Sequence, residues 1–161
     1  MNYLLITLLL GIGATLITDL WGLLRKYLLG IPAPNYALVG RWFSHMIYGR
    51  FHHASIKSAS SIHGEAVIGW AAHYLIGIVF AALLIGIWGE AWIQHPTIGP
   101  ALAVGLGTVL APFLLMQPGM GSGIAASRTP NPGAARLQSF IMHGVFGLGL
   151  YATGRVLSFF Y

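Results

Sequence analysis

Three ionisable side chains stand out because each lies well inside a long apolar stretch of the sequence. They are Asp19, His73 and His143. If these stretches are helices with a rise of about 1.5 Å per residue, all three side chains lie roughly 7–11 Å from the same side of the molecule. Ionisable residues are costly in apolar surroundings and often mark a functional site. Their common depth therefore predicts one shared polar site.

An aspartate and two histidines fit three kinds of chemistry. As two imidazoles and a carboxylate they fit Fe(II) or Zn(II) with open coordination positions, and Gln117 or Met116 would complete the metal site. Two facing histidines also fit the axial ligation of a haem. An imidazole beside a carboxylate fits a proton relay or the passage of a small solute. The residues alone leave the cofactor open.

A structural interpretation competes with all three. A hydrogen bond between the aspartate and an imidazole joins two helices without any ligand, and such bonds contribute about 0.6 kcal/mol on average. Thr15 lies one helical turn from Asp19, and Glu65 lies two turns from His73. These positions predict a packed interior face, in which Thr15, Glu65 and Met116 have a secondary polar or gating role.

A glycine-rich run predicts a second, weaker site. Gly121 and Gly123 precede Arg128, so their backbone N–H groups are expected to contact a phosphate or a lipid head group. The run lacks the Gly-Lys-Ser/Thr ending of a P-loop, and a plain turn is the alternative. No spacing typical of a serine hydrolase, a paired-carboxylate enzyme or a zinc protease occurs, so we expect no enzyme, with a membrane metalloenzyme left open.

The composition indicates which elements position these residues. The chain is 57% hydrophobic and only 7% charged, whereas soluble domains carry about 25% charged residues. Four apolar runs reach the roughly 20 residues that a membrane-spanning helix needs, and they cover residues 3–24, 66–88, 98–117 and 137–158. The sequence predicts an all-α, integral membrane bundle of four transmembrane helices, which forms a single membrane domain over residues 1–161.

The basic residues predict how these helices are oriented. Seven of them fall in two connections, five between the first two helices and two between the last two: Arg25, Lys26, Arg41, Arg50, Lys57, Arg128 and Arg136. The positive-inside rule places both connections in the cytoplasm and both termini on the outer side. The net charge of +5 therefore indicates topology and contact with membrane lipid, and we expect no nucleic-acid partner.

The first of these connections contains an amphipathic pattern. Apolar residues recur at helical spacing through Trp42 and Ile47, with His45 on the opposite face. This pattern predicts an interfacial helix over residues 35–53, lying at the membrane surface. Histidines crowd the same loop and offer another place for metal to collect, although solvated side chains are the simpler interpretation. They are His45, His52, His53 and His63.

Several short motifs spread along the chain resemble a known family. They are Gly11-Ile-Gly-Ala-Thr with Asp19, Glu65 with Gly69-Trp70 and His73-Tyr74, Gln117-Pro118, Gly123-Ile-Ala-Ala-Ser, Thr129-Pro-Asn-Pro, and His143-Gly144. In these the sequence resembles the small bacterial membrane proteins grouped as Domain of Unknown Function 2938. The resemblance implies a bacterial inner-membrane protein of about four helices, and it implies no activity.

Two functional classes follow from these residues. The first is a small membrane protein whose inner-leaflet Asp/His site binds a metal ion or haem, or relays protons or a small solute. The alternative is a non-catalytic structural or accessory subunit in which the same residues only tie helices together. Glycine-rich helices also fit pairing with a second copy or with a larger membrane complex.

Overall fold

The computed structural model describes residues 2–160, which form helices joined by turns and irregular segments and contain no strand. Five α-helices carry the architecture: α1 (Tyr3–Leu29), α2 (Tyr36–Ile47), α3 (Glu65–Gln94), α4 (Ile98–Gly107) and α5 (Pro132–Leu157). After α4 the chain forms a π-helical turn (Pro112–Met116) and a short helical turn (Gln117–Gly119). Single 3₁₀ turns lie at Ile56–Ser58, between α2 and α3, at Ile124–Ala126, before α5, and at Ser158–Phe160, after α5. The predicted all-α class is confirmed.

Four segments are long and apolar enough to cross a membrane. They are Tyr3–Leu29, Glu65–Gln94, Ile98–Gly119 and Pro132–Phe160. Only 22–33% of the residues in their most apolar windows are buried inside the protein, so most of their side chains are at least partly exposed. The four predicted spans are therefore present as apolar helical segments.

The ends of these segments differ from the predicted ones because local backbone features set them. Helix α1 continues to Leu29, where Gly30 takes a left-handed conformation (φ 66°) and caps it. Within α3 the backbone leaves helical geometry at Gly89 (φ 63°), next to the predicted end at residue 88. Helix α5 begins earlier than predicted, since the side chain of Asn131 accepts the N–H of Ala134 and caps its first turn.

The chain forms two compact units. The first unit contains residues 2–34, 74–108 and 141–160. Its core consists of apolar side chains from α1, α3, α4 and α5, with Leu10, Leu84 and Leu150 almost fully buried. Helices approach closely at Gly105, where an added Cβ would overlap the backbone of Gly147. Such close approach at small residues is typical of helices that pack together in membranes.

The second unit contains residues 35–73 and 109–140. Its helix α2 packs on the first turns of α3, where an added Cβ at Gly40 would overlap the carbonyl of Glu65. Helix α2 ends at Ile47 instead of residue 53, because Gly49 (φ 76°) turns the chain and the N–H of Arg50 returns to the carbonyl of His45.

One position of α2 differs from the predicted amphipathic pattern. His45, assigned to the polar face, is only 5% exposed, whereas Ile47, assigned to the apolar face, is 82% exposed, as a side chain facing lipid would also be. Trp42 is buried, and its indole N–H donates to the carbonyl of Phe51 at 2.9 Å. Specific polar contacts, described below, hold His45 inside despite its polarity.

Candidate functional site

Asp19 lies on α1 and is joined to α3. Its carboxylate accepts a hydrogen bond from the hydroxyl of Tyr74 at 2.9 Å. One turn earlier the Thr15 side chain is almost fully buried, and its hydroxyl donates to the carbonyl of Gly11 at 2.8 Å. An added Cβ at Gly77 of α3 would overlap that hydroxyl. The predicted interior face around Asp19 is therefore a tight contact between two helices.

His143 lies on α5 and is joined to α4. Its Nδ1 is 3.2 Å from the carbonyl oxygen of Gly105 and 3.1 Å from the hydroxyl oxygen of Thr108, which itself donates to Gly105 at 2.7 Å. A carbonyl oxygen only accepts, so Nδ1 carries the proton. In the neutral ring Nε2 then carries the lone pair.

His73 and Gln117 belong to the second unit. The ring of His73 stacks on Tyr36, with centroids 4.0 Å apart and an angle of 21° between the planes. The side-chain nitrogen of Gln117 is 3.5 Å from the hydroxyl of Ser139. The side-chain oxygen of Gln117 is buried without a hydrogen-bond partner. Each of these residues therefore contacts a side chain that the sequence analysis had not singled out.

The proposed metal set divides between the two units. Asp19 and His143 lie in the first unit, and His73 and Gln117 lie in the second, as does Met116. Within residues 2–160 no group of three or more His, Asp or Glu side chains is arranged to hold a metal ion. The assignment of these residues to a metal or haem stays a prediction.

Glu65, predicted as a secondary polar residue, forms an ion pair with Arg41. The guanidinium contacts the carboxylate at two points, Nε to Oε2 at 2.8 Å and Nη2 to Oε1 at 2.7 Å. Both side chains are mostly buried, at 12% and 16% exposed. The hydrogen bond to Glu65 raises the pKa of Arg41 above its usual value, so the guanidinium stays charged.

The same guanidinium also organises the loop before α3. Its Nη1 lies 3.0 Å from the carbonyl of Ala59 and 3.2 Å from that of Ile56. The Glu65 carboxylate in turn accepts the N–H of Ile62 at 2.9 Å. One arginine and one glutamate therefore fix the path of the polar loop from α2 to α3.

His45 and His53 form a second polar pair in this unit. Nδ1 of His45 is 2.8 Å from Nε2 of His53. The other nitrogen of His45 is 3.0 Å from the carbonyl of Ser60, and the other nitrogen of His53 is 3.3 Å from the carbonyl of Gly119. Of the histidine-rich loop, these two rings are the ones held in a defined geometry within the described residues.

The glycine-rich run makes a turn that packs on residues 53–54. The N–H groups of Met120, Gly121 and Ser122 donate to carbonyls of the preceding helical turn, at residues 116, 118 and 117 respectively. An added Cβ at Gly121 would overlap the carbonyls of His53 and Ala54. These features favour the plain-turn interpretation, and the lipid or phosphate contact at Gly121, Gly123 and Arg128 stays a prediction.

Arg25 was predicted as a loop charge, but it lies within α1 and is only 4% exposed. Gly22 and Thr18, three and seven residues before it, are buried on the same face. This helical spacing of small and polar residues was the available signal that Arg25 belongs to the interior stripe.

Comparison with known proteins gives one family. The family described as "Protein of unknown function (DUF2938)" matches residues 8–157, nearly the whole chain. No curated protein and no solved structure matches.

Proposed function

This chain belongs to the DUF2938 family of proteins of unknown function, and we propose that it is a non-catalytic, multi-pass protein of the bacterial inner membrane. In this proposal its buried polar side chains join neighbouring helices, and the protein acts as a structural or accessory subunit of a membrane complex. The protein is surrounded by membrane lipid, and its partner is a second copy of this chain or another subunit of the complex.

The outward faces of the long helices support insertion into a membrane. Large apolar side chains such as Leu4 (70% exposed) and Val67 (73% exposed) lie on the outside of α1 and α3. In water, apolar surface costs about 25 cal/mol for each Å² exposed, and lipid removes that cost. Side chains of this kind recur along α1, α3 and α5.

The distribution of charge supports an orientation with both termini outside. The connection between α1 and α3 contains Arg41, Arg50 and Lys57, whereas the connection between α3 and α4 contains no Lys or Arg in residues 95–97. Basic connections stay in the cytoplasm. Arg155, in the last turn of α5, is the exception.

The hydrogen bond from Tyr74 to Asp19 is the observation that carries the structural role. In hydrocarbon an unpaired carboxylate is expensive, and this bond satisfies one oxygen while joining α1 to α3. His143 joins α5 to α4 in the same manner through Gly105. Such bonds contribute about 0.6 kcal/mol each, which is enough to favour one packing of helices over another.

A double-mutant cycle tests this role. We expect Asp19→Ala and Tyr74→Phe each to lower the free energy of unfolding in detergent, and the double variant to lose less than the sum, with a coupling of about 0.6–1.7 kcal/mol. Tyr27→Phe on the exposed end of α1 is the matched control and leaves stability unchanged. Strictly additive losses would show that the pair does not join the helices.

Purification from the native membrane tests the accessory role. Under mild detergent we expect the protein to elute together with partner subunits in a fixed ratio. A monodisperse particle containing one copy of this chain alone contradicts the accessory role.

His143 favours a second candidate function, the binding of a metal, haem or proton. Its Nδ1–H is fixed on the Gly105 carbonyl, which orients Nε2 as a ligand, as is common for metal-binding histidines. A Soret band, or stoichiometric Fe or Zn that His143→Ala removes, supports this function together with the predicted roles of Asp19, His73 and Gln117. Metal-free, colourless protein from cells supplied with iron, zinc and haem contradicts the binding of a metal or haem.

A further inference from the structure

A cleft of about 340 Å³ opens on the second unit. It is lined by His45, Tyr48, Arg50, Ser60 and Ile62. Its volume lies at the lower end of the range of small-molecule sites, about 300–1,000 Å³. Arg50 and Ser60 are exposed, so their polar groups are accessible, and none of the five lining residues is acidic.

The histidine at the back of this cleft is held at both ring nitrogens. His45 bonds the carbonyl of Ser60 through Nε2 and the ring of His53 through Nδ1. His53 in turn bonds the carbonyl of Gly119 through its own Nδ1. The result is a chain of three hydrogen bonds that runs from one carbonyl to another through two imidazoles.

The number of protons needed for these three hydrogen bonds gives the charge of the histidine pair. Carbonyl oxygens only accept, so Nε2 of His45 and Nδ1 of His53 must both carry a proton. The two remaining nitrogens, 2.8 Å apart, would then face each other with lone pairs unless a third proton lies between them. Two neutral imidazoles hold two protons in total. All three bonds therefore form only when the pair is a monocation.

The neighbouring charges leave this positive charge uncompensated. From α3 the Glu65 carboxylate is the acidic group that interacts with His45. That carboxylate is already paired with Arg41 of α2 through two hydrogen bonds. These two charges cancel, so Arg50 and, when it holds the third proton, the histidine pair are the positive charges beside the cleft.

We infer that this cleft binds a phosphate group. Arg50 supplies a guanidinium fork that matches phosphate oxygens. Tyr48 and Ser60 supply hydroxyl donors, and the histidine pair supplies charge without giving up its own hydrogen bonds. The phosphate belongs either to an anionic lipid head group or to a free phosphate compound. The site is independent of the helix-joining role proposed above, because all its residues lie in the second unit. Only the assignment of the phosphate to a lipid head group rests on the proposed insertion into a membrane.

Titration with inorganic phosphate tests the site. In the full-length protein, solubilised in a non-ionic detergent, we expect saturable binding in isothermal titration calorimetry. Arg50→Gln should weaken it at least about tenfold, because it removes a charge-assisted contact of about 1.5–3 kcal/mol. Lys57→Gln removes a positive charge from the same loop without altering the cleft lining, and it should leave the affinity within about twofold. Equal affinities of wild type and Arg50→Gln overturn the proposal.

A second variant tests the contribution of the histidine pair. His53→Gln keeps a hydrogen-bonding side chain but removes the requirement for the third proton. The affinity of this variant for phosphate should therefore be about threefold or more below that of the wild type at neutral pH, whereas the affinity of Lys57→Gln should not fall by this much. An affinity that His53→Gln leaves unchanged contradicts the assigned charge.

Nanodiscs distinguish the two sources of phosphate. If the natural ligand is a lipid head group, phosphatidate in phosphatidylcholine nanodiscs should weaken the apparent affinity for inorganic phosphate by competition, and Arg50→Gln should abolish that competition. If it is a free compound, the affinity should be the same with and without phosphatidate. Both results support the site, and an absence of phosphate binding in either nanodisc overturns it.

Discussion

The ion pair between Arg41 and Glu65 gives the sharpest prediction about stability. Arg41→Leu removes two charge-assisted hydrogen bonds to the carboxylate and further bonds to carbonyls of the loop before α3. Breaking one side of a buried pair costs about 3–5 kcal/mol because a charge is left without its partner. At 12% and 16% exposed, the two side chains are not fully buried, and water partly screens the charge left behind, so we expect the low end of that range, about 3 kcal/mol.

Thermal unfolding in detergent, followed by tryptophan fluorescence, measures this loss. For a chain of this size about 3 kcal/mol corresponds to a fall in Tm of roughly 6–12 °C. The double variant Arg41→Leu/Glu65→Leu also removes the carboxylate that the single variant leaves without a partner, so it should recover part of the lost stability. If Arg41→Leu unfolds within about 1 °C of the wild type, the pair does not stabilise the second unit and the reasoning fails.

Two further substitutions probe the packing of α2. Gly40→Ala should destabilise the protein by about 2 kcal/mol, because the added Cβ would overlap the backbone at Glu65. The control Gly86→Ala adds a Cβ that meets no atom within 4 Å, so it should be neutral or slightly stabilising. Similar Tm values for the two variants would contradict the close approach of α2 to α3. Trp42→Phe should cost about 1–2 kcal/mol in thermal unfolding, since it leaves the Phe51 carbonyl without its donor, and an unchanged Tm would show that water replaces the indole N–H.

The number of long helices could be predicted from the sequence because apolar run length alone determines it. The ends of these helices could not be predicted, because they depend on the conformation or capping of single residues. Gly30 and Asn131 cap helices beyond the apolar runs, and Gly89 breaks α3 inside what would otherwise be a continuous helix. The single domain predicted for residues 1–161 stays a prediction beside the two compact units.

The polar residues could be identified from the sequence, but their partners could not. Asp19 and His143 stand out because their neighbours are apolar, yet Tyr74 and Gly105 become their partners only through the packing of helices. Arg41 lies in a polar connection, where arginine side chains are normally solvated. Nothing in its local sequence indicates that it forms an ion pair with Glu65, 24 positions away. Depth along a helix predicts proximity only if rotation about the helix axis is also known.

The histidine-rich loop illustrates the same limit. The sequence contains seven histidines, and four of them crowd one connection. Spacing alone made solvated side chains the simpler interpretation. Burial of His45 against His53 depends on the turn at Gly49 and on the carbonyl of Gly119, which is distant in sequence. A hydrogen-bonded histidine pair of this kind is identified only from the three-dimensional geometry.

Cysteine labelling tests the membrane topology most directly, because the chain contains no cysteine of its own. Lys57→Cys lies in the connection between α2 and α3, and His95→Cys lies between α3 and α4; both positions are exposed. In spheroplasts we expect a membrane-impermeant maleimide to label His95→Cys at once and Lys57→Cys only after the membrane is opened. Labelling of both positions from outside, or of Lys57→Cys alone, would contradict four membrane-spanning helices with the termini on the outer side.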